Sequence, residues 1–356
     1  MDLAAARARV DAAVADALLT LRHDLQPVGI SADDVLEPLG DLASRGKRMR
    51  AALLIAAHDA TGGAAAEAAV RVAAALELFQ TAALVHDDVL DRSDTRRGLP
   101  SVHRAIEARH QADGFDGDAE RYGINGAILT GDLSLMVCLG EVAVACADLP
   151  RSVGSAVAQR FRAMATLCTA GQYLDIRLAS TSVAQAASQR DDIVAVMRSK
   201  TASYTTEGPF ALGAALAGLS PDDVDAWAAA GVPLGIAFQL RDDLLGVVGD
   251  SHVTGKPAGD DLREGKRTVV LAEALGRASE AEQKAILAVA GVADAADADV
   301  SLAIEAVVAS GAVTAVEADI ARYGEQARTA IAALTSSTES GAMLNALVDD
   351  VLEREA

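Results

Sequence analysis

Residues 64–90 contain no Gly and no Pro, are built mostly from Ala, Leu and Val, and close on the acidic string HDDVL. A stretch of that length and composition has one good solution, an α-helix, because Ala and Leu are strong helix formers and the period-2 alternation of a half-buried strand is missing. The same texture recurs on both sides. Apolar positions share one helical face over 3–22, a second helix is expected behind a cap at Ser31, and Met49–Ala60 precedes a break at Thr61-Gly62-Gly63. Helical spacing returns over GINGAILTGDLSLMVCLGEVAVACA, 152–179, 186–218 and 222–248. Loops are marked by SRGKRMR, Pro100, the Gly and Asp cluster over 112–118, and GDSHVTGKPAGDDLREGKRT, after which helix resumes towards the C-terminus. Aromatics are 3% and Pro numbers 8, which disfavours a sheet architecture. No segment of ~20–50 residues repeats in register, so a solenoid is not expected. The expectation is one all-α domain over 1–356.

Formal net charge is −20. That argues against a nucleic-acid partner, whose phosphates demand a broad basic surface, and means that any anionic ligand needs local cationic help. Cys138, Cys146 and Cys168 are odd in number and lie in apolar helical stretches without metal-ligand spacing, so buried reduced thiols are expected. The first residues carry Asp2, Arg7, Arg9 and Asp11 where a secretory signal needs an unbroken apolar core. Uncharged apolar runs such as 226–240 contain Gly and Pro and fall short of the ~20 residues of a membrane span. A cytoplasmic protein without a transmembrane segment is the expectation.

The sharpest chemical feature is LVHDDVLDRSDTRRG. Asp87 and Asp91 are one helical turn apart and ~40° apart around the axis, so both carboxylates can address the same hard cations. Mg²⁺ commonly takes one or two carboxylates plus substrate phosphate oxygens, and Arg96 and Arg97 just downstream are diphosphate donors. A solvated acidic helix end is the bland alternative. Asp242 and Asp243 in FQLRDDLLG form a second acidic pair behind an apolar stretch. If the two helices faced each other, carboxylates ~4 Å apart would repel by ~4 kcal/mol even at an effective dielectric near 20, and several Mg²⁺ ions would relieve it.

With both motifs in view, the chain resembles the trans-polyprenyl diphosphate synthases. DDVLDRSDTRRG resembles that family's DDxxD followed by paired Arg and Gly. FQLRDDLLG resembles its second motif but ends in Gly246 where the pattern has Asp. RGKRMR at 45–50, GD at 131–132, GQYLD at 171–175, KTASY at 200–204 and GKPAGDDLREGKRT at 255–268 follow in the family's order. The resemblance implies a single helical bundle around a central cavity, Mg²⁺ with three ions per active site, a homodimer, and condensation of isopentenyl diphosphate with an allylic diphosphate by ionisation, condensation and elimination.

Residue by residue, it implies metal binding by Asp87, Asp88, Asp91, Asp242 and Asp243, and catalysis by Asp87, Asp91, Asp242 and Lys200. Lys47, Arg50, Gln80 and Arg97 would take the isopentenyl diphosphate, although a Lys and Arg cluster alone reads equally as an exposed helix start. Arg96, Lys200, Thr201, Gln239, Lys256 and Lys266 would take the allylic diphosphate. Asp242 is expected to carry the second metal contact, and an aspartate at position 246 is expected to be harmless or helpful. His86 reads either as a partner of a metal-binding carboxylate or as a packed core residue. A terpene cyclase of the same fold would not need Lys47, Arg50 and Arg97. A noncatalytic subunit of a heteromeric synthase would be expected to have lost the first motif.

Product length is expected to depend on side chains on the turns preceding Asp87. Ala82 and Ala83 are small, which disfavours a fifteen-carbon stop, and Phe79 is the first bulky group on the column below Ala83. Phe is also an ordinary core residue. A floor at Phe79 suggests geranylgeranyl diphosphate, with twenty-five carbons or more as the alternative.

Overall fold

A computed structural model describes residues 3–28, 32–249, 258–335 and 339–352. The fold is all-α, and the one sheet among the described residues is a two-stranded ribbon. The chain divides into two compact units, 1–159 with 212–219, and 160–211 with 220–356.

The first unit holds α1 (Leu3–Leu25), α2 (Asp33–Ser44), α3 (Met49–Ala60), α4 (Ala66–Leu90), the ribbon β1 (Thr95–Arg96) and β2 (Leu99–Pro100), α5 (Val102–Ala112) and α6 (Ala119–Ala147). The Ala-rich α4 is its axis, packed on α1, α3 and α6. Ala73, Ala74, Ala75, Leu76 and Leu78 are fully buried along it, small side chains that let neighbouring backbones approach closely. Ser134 on α6 donates its hydroxyl to the Leu78 carbonyl at 2.9 Å. Asp118 caps α6 by accepting from the Arg121 amide, as an N-cap carboxylate should.

Both α4 and α6 are long and apolar enough to cross a membrane, which counting uncharged runs alone had not anticipated. Most of the apolar stretch of α4 is buried inside the protein, but only a third of that of α6. Leu129 and Met136 on α6 are each 61% exposed, and Asp132 lies between them.

α7 (Arg151–Ala179) runs from the first unit into the second. There follow a 3₁₀ turn (Val183–Gln189), α8 (Arg190–Val196), a π-helical segment (Met197–Glu207), α9 (Gly208–Leu216) and α10 (Pro221–Val248). α10 begins with Ser220 as N-cap and Pro221 in the first turn, where a missing amide hydrogen costs nothing. A five-residue helix, α11 (Asp260–Glu264), precedes further helices over Val269–Arg277, Glu280–Val289, Asp297–Ala309, Ala312–Leu334 and Glu339–Leu352.

Instead of the single helix expected over 186–218, the π segment separates α8 from α9. Its sequence SKTASYTTE is rich in hydroxyls that bond back to the helix, Ser199 to Ala195, Ser203 to Ser199 and Thr206 to the Ala202 carbonyl, and Thr206 also reaches the Gly231 carbonyl of α10. Such back-bonding bends helices, and π turns concentrate where function needs a displaced side chain. Gly171 on α7 supplies the room, since a Cβ there would lie 2.3 Å from the Lys200 amide nitrogen.

Candidate active site

In the first unit, α4 delivers its acidic run to the surface and ends there. Asp87 is half-buried, and Asp91 is exposed at the C-cap with its amide bonded to the Asp87 carbonyl. Asp88 departs from the metal-binding role expected of it. It is 0% exposed, and Arg96 donates to its Oδ1 from Nε at 2.8 Å and also from Nη2. Burial raises its pKa, although the hydrogen bond and charge of Arg96 pull it back. A residue ~100° round the helix from Asp87 faces the interior and needs a partner there.

Arg96 is therefore engaged with Asp88, not displayed as a bare diphosphate donor. The pair lines a cavity of about 220 Å³ shared with Glu37, Asp41, Pro100 and Arg109.

The ribbon separates the two arginines. Arg97 and Gly98 form its two-residue turn, with φ of 53° and 76°, both in the left-handed region that suits a tight hairpin. Arg97 donates to the Leu42 carbonyl at 3.1 Å and also to the Arg45 carbonyl, so the hairpin is tied to the basic turn. Burial lowers the Arg97 pKa, Glu77 works against that, and Arg48 and Arg50 add to it.

Within this unit the structure thus brings together the basic turn, Arg97 and the middle of α4. Lys47 is exposed, Arg50 buried and Gln80 half-buried. Two residues without an assigned role organise the cluster. Arg48, itself at φ 52°, bonds Asp11 at 2.7 Å, Glu77 at 3.3 Å and the Ala43 carbonyl at 2.6 Å. Glu77 is 4% exposed and also accepts from the Ala51 amide. Its signal in the sequence was a single acid inside AAALELF, three residues before Gln80. His86 bonds the Ile128 carbonyl at 3.1 Å and lies 3.6 Å from Asp132, so it belongs to the contact with α6.

On α4, Ala83 is half-buried and Phe79 is 6% exposed. Ala82 is fully buried.

In the second unit the π segment carries Lys200 and the buried Thr201. Lys200 Nζ is 2.6 Å from Asp175 Oδ2, the last residue of GQYLD, so the two motifs act as one ion pair. On α10, Asp242 is half-buried, whereas Asp243 is 7% exposed and accepts from Gln239 Nε2 at 2.7 Å. Burial first and Asp261 second push the Asp243 pKa up to about 8, against the Gln239 hydrogen bond, with Asp242 adding to the rise. Asp243 is thus an interior group like Asp88, and Gln239 is spent on holding it. Lys266 bonds Asp261 at 2.9 Å and Glu264 at 2.8 Å. Lys256 lies outside the described residues.

At position 246, where an aspartate is expected to be harmless or helpful, a Cβ would lie 2.1 Å from Asp261 Oδ2, so the Asp261 carboxylate would have to shift to admit a side chain. Among the described residues no group of three or more His, Cys, Asp or Glu side chains is placed to hold a metal by itself. The accessible carboxylates, Asp87 and Asp91 on α4 and Asp242 on α10, are hard oxygen donors in small sets. That suits Mg²⁺, which leaves part of its shell to water and substrate.

The profile of the polyprenyl synthetase family matches residues 33–307. A crystallised geranylgeranyl pyrophosphate synthase from Corynebacterium glutamicum, complexed with isoprenyl diphosphate and magnesium, is 38% identical with a TM-score of 0.91 over 100% of both chains. A geranylfarnesyl diphosphate synthase of Aeropyrum pernix is 33% identical over 87% of this chain and 90% of its own. A (2E,6E)-farnesyl diphosphate synthase of Mycobacterium bovis is 30% identical over 87% of this chain and 80% of its own.

Proposed function

The chain belongs to the polyprenyl synthetase family as a trans-prenyl diphosphate synthase, and we propose that its product is the twenty-carbon geranylgeranyl diphosphate. The relatives differ in product, so the side chains of α4 are what support this length. Ala83, one turn before Asp87, is small and half-buried, and Phe79, one turn further, is the first bulky side chain on that column. A prenyl chain growing down the column passes the first turn and stops at the second.

The test is to incubate the purified protein with Mg²⁺, isopentenyl diphosphate and each allylic primer and to size the products. Geranylgeranyl diphosphate is expected to dominate. Phe79→Ala should lengthen the distribution by five carbons or more, and Ala83→Phe should shorten it towards fifteen. If both variants fold, turn over and keep the wild-type distribution, the floor is not on α4.

Asp87, Asp91 and Asp242 are assigned to hold Mg²⁺ on the allylic diphosphate. When bound, the ion supplies positive charge to the leaving oxygens. Lys200, fixed by Asp175, and Lys266, fixed by Asp261 and Glu264, add cationic donors whose positions are set before substrate arrives. Thr201 offers a hydroxyl beside Lys200. Lys47, Arg50, Gln80 and Arg97 hold the second diphosphate, that of isopentenyl diphosphate, whose double bond attacks the allylic carbocation. The proton released afterwards passes to the departing diphosphate, and the protein's work is mainly electrostatic placement. The family match runs through both units, which supports reading the chain as one functional domain.

Association into a homodimer is part of this reading. Its support is the apolar side of α6, where Ile128, Leu129, Met136 and Leu139 are exposed in a row that Asp132 makes unsuitable for lipid. Sedimentation at micromolar concentration should give twice the chain mass, and Leu129→Lys with Met136→Lys should give the monomer. A wild-type monomer, or sedimentation only with vesicles, would refute it.

A further inference from the structure

Arg267 is a cation only 9% exposed, and among the described residues no carboxylate pairs with it. Its guanidinium is spent on main-chain carbonyls instead. Nη1 donates to Gly265, and Nη2 donates to Thr181 and, at 3.3 Å, to Ala179. Ala179 is the last residue of α7, and Thr181 lies just beyond it. The final carbonyls of a helix have no partner within it and carry the negative end of its dipole, so they can compensate a buried cation. Arg267 is thus a C-terminal cap for α7, supplied from 88 positions along the chain.

The bridge matters for what lies at its two ends, both in the second unit. At one end Lys266 directly precedes Arg267 and is held by Asp261 and Glu264. Gly265 before it fixes the turn: its φ is 68°, and a Cβ there would lie 2.8 Å from the Gly291 Cα. At the other end Asp175 is four residues before Ala179, one helical turn or ~6 Å along the axis. Its carboxylate receives Lys200 Nζ at 2.6 Å. One guanidinium fork therefore joins the turn that bears Lys266 to the turn that aims Lys200.

We propose that Arg267 is a positioning residue that holds Lys266 and Lys200 at a fixed separation, so that the two ammonium groups grip one diphosphate together. This rests on the prenyl synthase reading, which gives both lysines to the allylic diphosphate. Arg267 acts through the lysines and not on the substrate. Two cations whose spacing is set beforehand bind one anion better than the same cations on loosened supports, because less ordering is left to binding.

Inorganic diphosphate at saturating Mg²⁺ is the probe, titrated calorimetrically into wild type, Arg267→Met, Lys200→Ala, Lys266→Ala and the two double variants that combine Arg267→Met with each lysine change. Arg267→Met should weaken binding about tenfold in the wild-type background and less than about twofold where either lysine is missing, since no separation is then left to hold. In steady-state assays its KM for the allylic substrate should rise while that for isopentenyl diphosphate stays at the wild-type value. Arg267→Lys keeps the charge but not the planar fork; it should lose about threefold in the same pattern and serves if Arg267→Met fails to fold. An equal loss in all three backgrounds, a KM for isopentenyl diphosphate that rises equally, or wild-type affinity beside a lowered melting temperature would overturn the proposal. The last result would leave Arg267 as a cap for α7 alone. A wild type that binds no diphosphate would instead overturn the reading on which the proposal rests, and product formation by the wild type is scored separately.

Discussion

Asp87→Ala is expected to lower turnover by about 10²–10³ while changing the free energy of unfolding by less than about 1 kcal/mol. Asp87 is half-buried at the last turn of α4, and its assigned work is to hold positive charge where the leaving diphosphate develops negative charge. Stabilisation confined to the transition state appears in kcat, not in the melting curve. Steady-state rates at saturating Mg²⁺ and substrate, beside a denaturant titration, measure both quantities. Near-normal turnover would remove Asp87 from the site.

Its neighbour should behave in the opposite way. Asp88→Ala is expected to destabilise the fold by about 3 kcal/mol, because removing one partner of a buried ion pair leaves the other charge uncompensated. The lower end of the usual range applies, since Arg96 keeps 23% of its side-chain surface in water. Asp88→Asn should cost less, because the amide oxygen can still accept from Arg96. Urea unfolding distinguishes the three proteins, and an Asp88→Ala protein with the wild-type midpoint would show that the pair contributes little. Two adjacent aspartates would thus separate into one that acts on substrate and one that holds the hairpin.

The contrast also marks where sequence reading stops. Spacing placed Asp87 and Asp91 on one face, and most helix bounds were legible because Ala-rich periodicity and the Gly and Pro breaks agree. Spacing could not say that Asp88 and Asp243 turn inward, since that depends on Arg96 and Gln239 arriving from elsewhere in the helix or beyond it. The π segment was hidden for a related reason. Its local sequence is compatible with ordinary helix, and the close approach of Gly171 from α7 is a tertiary fact. Glu77 and Arg48 were visible as letters, but their role exists only once α4 and the basic turn are packed.

The π segment has a bearing on how such chains tolerate changes in length. A wide turn amounts to one extra residue absorbed into an otherwise ordinary helix, and each residue of helix is worth ~100° of rotation. Removing one residue between Lys200 and Gly208 would let the ladder relax to regular α geometry, but it would turn the stretch that carries Lys200 by about that angle relative to α7 and α9, which keep their own packing. Lys200 would then no longer meet Asp175, although every residue of both motifs would still be present. Insertions and deletions across 197–207 are thus a matter of phase: a chain can keep its motifs letter for letter and still aim them wrongly.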